Sequence, residues 1–181
     1  TFIGDQTNGG DPAGNIRTAY LYNPDRVELV DGSVQSIQSA DQQTNPDNPF
    51  FGGRLPLVAT FEFNGEAVTV VNNHFSSKGG SAPIFGAEQP FEDLQEVFDA
   101  DGTPTVNGSL DERLAQSRGV QTFVNGILDT NPDANVVVLG DLNEFEFVSP
   151  VSELETNAGL NNLTNTLPED ERYSFIFQGN S

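Results

Sequence analysis

Apolar and polar residues alternate along two neighbouring stretches of the chain, Leu57–Phe63 and Ala67–Val71. The dipeptide between the two strands, Asn64-Gly65, tolerates the positive φ angles of a type I′ turn, so the pattern predicts a β-hairpin. In a strand, side chains two residues apart lie on the same face. One face of the hairpin is therefore expected to carry core side chains: Phe61, Phe63, Val68 and Val70.

A helical period replaces this alternation further along the chain. Apolar residues recur near every third or fourth position in Leu110–Thr130, which predicts an amphipathic helix. Ser109 is expected to be its N-cap, with Glu112 three residues later completing a capping box. Asn131-Pro132-Asp133 is expected to end the helix, because proline cannot continue it.

The rest of the chain predicts shorter elements separated by long loops. In chain order they are a strand stub at Thr1–Ile3, strands at Ile16–Tyr22 and Arg26–Val30, a short strand around Val34–Ile37, a buried strand at Asn135–Leu139, a short helix at Ser152–Ala158 and a final strand at Tyr173–Phe177. Residues 31–53 and 76–109 are expected to be irregular. A loop as long as the second is usually functional or mobile.

Composition limits the classes of function. A chain of 181 residues is expected to form one domain. Seven Lys and Arg against 27 Asp and Glu give a net charge of −20, which counts against a nucleic-acid binder with a basic groove. Phosphoester chemistry stays open, because a bound divalent cation reverses the local sign of charge. Without cysteine there is no disulfide or thiolate zinc site, and no stretch is apolar and long enough to suggest a membrane span.

Two of the predicted strands end in polar clusters. The first leads into Asn72-Asn73-His74, and this histidine is the only one in the chain. The second leads into Gly140-Asp141-Leu142-Asn143, where Asp141 and Asn143 are expected to project to the same side. Histidine moves protons near neutral pH, and a neighbouring carboxylate orients it. If His74 and Asp141 converge, they form part of a hydrolytic site.

Four further polar side chains are candidates for contacts with a phosphate. Arg54 opens the strand that pairs with the histidine strand, and Asn72 lies two residues before the histidine. Ser77 belongs to a flexible Ser-Ser-Lys-Gly-Gly stretch, and Asn15 begins the first clear strand. Each has an ordinary structural alternative, as a surface arginine or a turn former. The histidine has one too, as a strand-end residue bonded to the backbone.

Five segments of the chain occur in an order that matches a known family. They are Gly14–Val27 with its Tyr-x-Pro-Asp turn, Arg54-Leu55-Pro56-Leu57, Asn72-Asn73-His74-Phe75, Arg113-Leu114-Ala115-Gln116 and Gly140-Asp141-Leu142-Asn143. Together they resemble the endonuclease/exonuclease/phosphatase superfamily, whose best-known member is deoxyribonuclease I. Within that superfamily they are most similar to the large secreted bacterial nuclease-like members. The resemblance extends over nearly the whole chain.

The resemblance implies an α+β fold, a four-layer αββα sandwich with two packed mixed or antiparallel sheets. It also implies metal-dependent hydrolysis of a phosphoester, with nucleic acid among the substrates, by a secreted or cell-surface bacterial protein. In this scheme His74 contacts the scissile phosphate, Asp141 orients or activates the attacking water, and Arg54 supports the phosphate. Asn143 contacts the phosphate or a metal. Asp141 and Asn143 are the implied ligands of Mg²⁺ or Ca²⁺.

The chain departs from the family's pattern near both ends. The family's Gln-Glu, whose glutamate binds the metal, does not precede Gly14, and the late Asp-His pair is not found after Phe177. We therefore expect residues 1–181 to be an interior piece, a partial domain whose sandwich is incomplete at both ends. Such a piece is expected to show little activity alone and to self-associate through exposed sheet edges.

A second hypothesis from another class fits the same composition. The net charge of −20 and the Asp- and Asn-rich loops suggest a non-catalytic surface module that binds calcium on a degenerate nuclease fold. The stretch Asp41–Pro49 is its main candidate loop, although it lacks the spacing of an EF-hand. Calcium binding without any phosphoester cleavage would favour this alternative.

Overall fold

The computed structural model describes residues 2–4, 17–38, 40–42, 44–82 and 96–172 of the chain. Within these ranges the chain folds as an α+β sandwich. The site candidate Asn15 and the predicted final strand Tyr173–Phe177 lie outside the described residues.

Nine strands and two α-helices make up the described part of the chain. The strands are β1 Phe2–Gly4, β2 Ala19–Leu21, β3 Glu28–Leu29, β4 Gln35–Ser36, β5 Leu57–Phe63, β6 Glu66–His74, β7 Val97–Phe98, β8 Pro104–Val106 and β9 Asn135–Asp141. The helices are α1 Leu110–Thr130 and α2 Ser149–Ala158, and they are followed by 3₁₀ turns at Leu163–Thr166 and Glu169–Glu171. Neither helix has the length and apolarity that a membrane span requires.

The largest sheet is built on the predicted hairpin. β5 and β6 pair antiparallel across Asn64 and Gly65, whose φ angles of 52° and 82° confirm the turn. β3 and β4 both pair with β5, and β9 pairs with β6 in parallel. Helix α1 supplies the crossover that a parallel pair needs. Because β6 and β9 run in the same direction, their carboxyl ends meet at one edge of the sheet.

The two helices and the hydrophobic core lie on one face of this sheet. Val58 and Val71, register partners on β5 and β6, are 1% and 0% exposed, and α1 packs Val120 and Val124 into the same cluster. Phe50 is also fully buried there. Each such side chain stabilises the fold by about 1.5–3 kcal/mol through removal of apolar surface from water. The core therefore anchors α1 against the strands that end at the candidate site.

The opposite face carries the apolar side chains that the sequence assigned to the core. β1 and β2 pair with each other, and the Tyr20 hydroxyl lies 2.7 Å from the carbonyl oxygens of both Leu57 and Val70. Phe61 contacts the Tyr20 ring edge-on, but Phe63 is 47% exposed. The shared face was predicted correctly, but Phe63 is not a core side chain, because both helices and the cluster of fully buried residues lie on the other side. Self-association through exposed edges stays a prediction.

The start of α1 differs from the predicted capping box. Ser109 has a left-handed φ of 59° and its side chain makes no capping hydrogen bond. Its backbone N–H donates instead to a carboxylate oxygen of Glu96 at 2.8 Å. The capping box with Glu112 was therefore wrong, because the preceding loop sets the Ser109 backbone.

The start of α2 and the segment before α1 also differ from the prediction. Helix α2 begins at Ser149 rather than Ser152, since Pro150 suits the first turn of a helix and does not exclude it. The segment 76–109, predicted to be irregular, contains the β7–β8 hairpin. Its turn is held by Asp99 and Asp101, whose carboxylates accept the Thr103 N–H.

Candidate active site at the ends of two parallel strands

His74 and Asp141 are the last residues of β6 and β9 and lie side by side. The parallel register pairs them directly, so both side chains project from the same face of the sheet. The Nε2 atom of His74 lies 3.7 Å from Oδ2 of Asp141, which is too long for a direct hydrogen bond. The side chains are 25% and 60% exposed, so a solute reaches both groups from solvent.

Gly140 sets the close approach of the two strands just before this pair. It lies opposite Asn73 with a φ of 117°, and a Cβ added there would be 2.1 Å from the Asn73 carbonyl oxygen. Only a residue without a side chain fits this position. The glycine of the Gly-Asp-x-Asn motif therefore fixes the spacing from which Asp141 projects.

Asn143 turns back toward the end of β6. It has a left-handed φ of 50°, and its backbone N–H donates to Oδ1 of Asp141 at 3.0 Å. Its side-chain Nδ2 donates to the Phe75 carbonyl oxygen at 3.0 Å. The sequence analysis placed Asp141 and Asn143 on one side by strand alternation. That reason was wrong, because β9 ends at Asp141. A turn closed by the aspartate carboxylate brings Asn143 to the site.

Arg54 reaches the same edge from the segment before β5. Its Nε donates to the His74 carbonyl oxygen at 3.3 Å and its Nη2 to the Phe75 carbonyl oxygen at 3.1 Å. Burial lowers the pKa of Arg54, and the carboxylate of Asp141 opposes that shift. The guanidinium therefore holds the end of β6 and places a positive charge close to the histidine.

The surroundings of His74 favour its neutral form. Burial lowers the pKa of the imidazole, and the charge of Arg54 lowers it further, whereas Asp141 raises it. A histidine with a lowered pKa is uncharged at neutral pH. His74 is therefore able to accept a proton or to donate a neutral N–H hydrogen bond.

Two further sequence candidates, Asn72 and Ser77, do not join this group. The side chain of Asn72 donates from Nδ2 to the Ala19 carbonyl oxygen at 2.9 Å and so ties β6 to β2. Ser77 is exposed, and its hydroxyl accepts the Gly79 N–H at 3.4 Å within a local turn. The structure thus brings together four of the named residues: Arg54, His74, Asp141 and Asn143.

Sequence reasoning missed a buried ion network directly behind these residues. The carboxylate of Glu144, the residue after Asn143, is fully buried between Arg113 and Lys78. The Lys78 ammonium also lies 4.7 Å from the centre of the Phe145 ring. The signal in the sequence was the adjacency of Glu144 to the motif, but an isolated glutamate is ordinarily a solvated residue.

The oxygen donors at the site bear on which metal it could hold. Among the described residues, no group of three or more His, Cys, Asp or Glu side chains is arranged to hold one. In the described ranges, the side-chain oxygen donors that the site offers are the Asp141 carboxylate and the Asn143 amide oxygen. Mg²⁺ commonly keeps several waters and uses one or two carboxylates with substrate phosphates, so this set fits Mg²⁺. Ca²⁺ takes roughly six to eight oxygens, waters among them, so the same two side chains would need more added waters to hold Ca²⁺.

Comparison with known proteins bears on the fold. No family model matches the chain, and no curated protein matches it by sequence. Among solved structures it is similar to the human Nocturnin catalytic domain with a bound sulfate anion, with a TM-score of 0.59 and 14% sequence identity. At this level of sequence identity, the similarity shows that the two chains share a fold. The match covers 98% of this chain and 54% of that one, so the chain spans about half the length of the structure that it matches.

Proposed function

We propose that Arg54, His74, Asp141 and Asn143 form the phosphate site of a metal-dependent phosphoester hydrolase. The observation that carries this proposal is the placement of His74 beside Asp141 at the ends of two parallel strands. Catalytic side chains concentrate where loops leave such a rigid scaffold. The sulfate bound by the Nocturnin domain lends support, because sulfate has the shape and charge of a phosphate group.

The geometry suggests separate roles for the carboxylate and the imidazole. Asp141 is largely exposed, and its Oδ1 is oriented by the Asn143 N–H, so its carboxylate is placed to accept a hydrogen bond from an attacking water. His74 is placed to donate its N–H to a phosphoryl oxygen, where negative charge develops in the transition state. Arg54 lies behind both and adds positive charge at short range.

Asp141 and Asn143 are also the side chains that would hold Mg²⁺. When bound, the cation would polarise the phosphate and offset its repulsion by a chain of net charge −20. The substrate class is therefore a phosphoester presented with a divalent cation. Among such esters, small phosphodiesters and nucleic acid both remain candidates.

The alternative calcium module receives no support from the Asp41–Pro49 loop. The carboxylate of Asp41 accepts hydrogen bonds from the side-chain amides of Asn45 and Asn48, which lowers its pKa. The amide oxygens of those two asparagines accept the backbone N–H groups of Asp47 and Phe50. The Asp41 carboxylate and the amide oxygens of Asn45 and Asn48 are thus engaged in the loop's own turn rather than turned toward a cation.

Binding of inorganic phosphate in the presence of Mg²⁺ tests the proposed site. We expect calorimetry to detect phosphate binding by the wild-type chain only when Mg²⁺ is present. Asp141→Asn, which keeps the shape of the side chain and removes its charge, should abolish that binding. Asp133→Asn is the matched control, because it removes an exposed carboxylate just before the opposite end of β9.

Hydrolysis of a nitrophenyl phosphodiester gives the second measurement. Wherever turnover is measurable, Asp141→Asn should reduce it by about 10²–10⁴-fold, the range for loss of an acid–base group or an electrostatic stabiliser. Phosphate binding that is equal in Asp141→Asn and the wild type, or hydrolysis that is measurable and equal in both, would refute the assignment of this site.

A further inference from the structure

Helix α1 directs two buried polar side chains toward the candidate site. Arg113 is 0% exposed and Gln116 is 2% exposed, and their spacing of three residues places them on one face of the helix. Burying such groups is unfavourable unless their hydrogen bonds are satisfied. Neither side chain belongs to the phosphate site described above, so their partners indicate what they do.

Ser76, two residues after His74, is held by α1 at each of its polar positions. The Oε1 of Gln116 accepts the Ser76 N–H at 2.9 Å, and Nε2 of Gln116 donates to the Ser76 hydroxyl at 2.9 Å. The Nη1 of Arg113 donates to the Ser76 carbonyl oxygen at 3.2 Å. The loop that leaves β6 is therefore fixed to the helix within two residues of the imidazole.

The same guanidinium holds the loop that leaves β9. Its Nη2 and Nε donate to Oε2 of Glu144 at 3.0 and 3.3 Å. The remaining bonds go to the Gly108 carbonyl oxygen and to Oδ1 of Asn107. The other carboxylate oxygen of Glu144 accepts Lys78 and the Phe145 N–H. Arg113 thus joins the two loops through one rigid, fully bonded group.

We propose that Arg113 and Gln116 are positioning residues that set the separation of His74 and Asp141. They anchor the loops after both strands to one helix, so the two ends cannot move independently. The Phe75 N–H, which donates to the Asp141 carbonyl oxygen at 2.9 Å, lies between the two ends and reports on their contact. This inference rests on the proposed function only in treating His74 and Asp141 as the reacting pair.

Amide hydrogen exchange of the 181-residue chain tests this inference without any enzymatic readout. Gln116→Leu removes both side-chain bonds to Ser76 and keeps similar bulk. We expect the Phe75 amide to exchange about tenfold faster than in the wild type, as local opening becomes easier. The ring proton signals of His74, the only histidine, should shift at a fixed pH where the imidazole is neutral.

Val120→Ala is the control for a general loss of stability. Val120 lies on the same helix, is 0% exposed and belongs to the hydrophobic core. Its truncation should lower the melting temperature. When the proteins are compared at equal global stability, the exchange of the Phe75 amide and the His74 signals should stay close to those of the wild type. Gln116→Glu is the rescue variant, because a carboxylate is able to accept both the N–H and the hydroxyl hydrogen of Ser76.

Three outcomes would overturn the inference. The first is wild-type Phe75 exchange in Gln116→Leu, and the second is an equal change in Val120→Ala at matched stability. If Gln116→Leu does not fold, Ser76→Ala is measured instead, because it removes only the hydrogen bond of the hydroxyl. The third outcome is unchanged Phe75 exchange in Ser76→Ala. Phosphate binding by Asp141→Asn is measured separately, so the proposed function and the positioning role fail independently.

Discussion

Gly140→Ala tests the strand spacing on which the candidate site depends. Gly140 faces Asn73 in the parallel pairing of β6 and β9, one register position before His74 and Asp141. An added Cβ would lie 2.1 Å from the carbonyl oxygen and 2.7 Å from the nitrogen of Asn73. These neighbours are backbone atoms, so no side chain is able to rotate away and relieve the contact.

The expected loss of stability follows from two contributions. A side chain at a φ of 117° costs about 1–3 kcal/mol in backbone strain. Relieving the contact requires β6 and β9 to separate by roughly 1 Å, which weakens the last hydrogen bonds between them by about 1 kcal/mol each. The total is roughly 3–5 kcal/mol, a large part of the about 5–15 kcal/mol that stabilises a typical domain.

Gly126→Ala is the matched control within the same chain. Gly126 lies in α1, and a Cβ there meets no heavy atom within 4 Å outside the helix's own backbone. Replacing glycine by alanine in a helix stabilises it by about 0.5–1 kcal/mol. The same chemical change is therefore expected to have opposite signs at the two positions.

Urea unfolding followed by circular dichroism measures both variants under one set of conditions. The midpoint should fall strongly for Gly140→Ala and rise slightly for Gly126→Ala. A Gly140→Ala variant within about 0.5 kcal/mol of the wild type, the usual range for an unconstrained surface change, would refute the strand spacing described here.

Two further predictions concern charge. Burial lowers the folded-state pKa of His74, so at mildly acidic pH the unfolded chain binds more protons than the folded chain. The unfolding free energy should therefore be unaffected by His74 above about pH 6.5 and should fall as the pH drops toward the folded-state pKa. Urea unfolding at about pH 8 and about pH 5 should show this loss in the wild type but not in His74→Gln, and a gain would contradict it. Arg118, 57% exposed, bonds Glu153 through Nε and Nη2 at 2.9 Å each, and Arg118→Gln should lower the unfolding free energy by no more than about 1 kcal/mol.

The elements that the sequence predicted well are those specified by local interactions. Asn64-Gly65 fixes its own turn, and the bounds of α1 agree with the helical period of Leu110–Thr130. The meeting of His74 and Asp141, which the sequence left as a condition, follows from a general rule: a helix between two apolar strands favours a parallel pair whose ends meet. Each of these inferences needs only neighbouring residues or one general rule of topology.

The predictions that failed depend on contacts between distant segments. Ser109 occupies the N-cap position as predicted, but its side chain makes no capping hydrogen bond, because its backbone follows the loop that Glu96 holds. Phe63 has the alternation of a core residue, but both helices pack on the other face of the sheet and Phe63 stays half exposed. Local sequence does not tell which of two apolar faces receives the helices, because both faces of a buried strand look alike.

The buried network behind the site shows this limit most clearly. Arg113 and Glu144 are 31 residues apart, and each reads in the sequence as a charge on a solvated surface. Folding buries both, and removing Glu144 would leave the buried Arg113 and the Lys78 ammonium without their shared carboxylate, which is strongly unfavourable. The desolvation of two charges makes such a pair a weak source of stability. The pair does, however, hold two loops to one helix and restricts their movement. Glu144 follows Asn143 directly, and Arg113 donates to the carbonyl oxygen of Ser76, the residue after Phe75. A change in either residue is therefore expected to alter the geometry of the site.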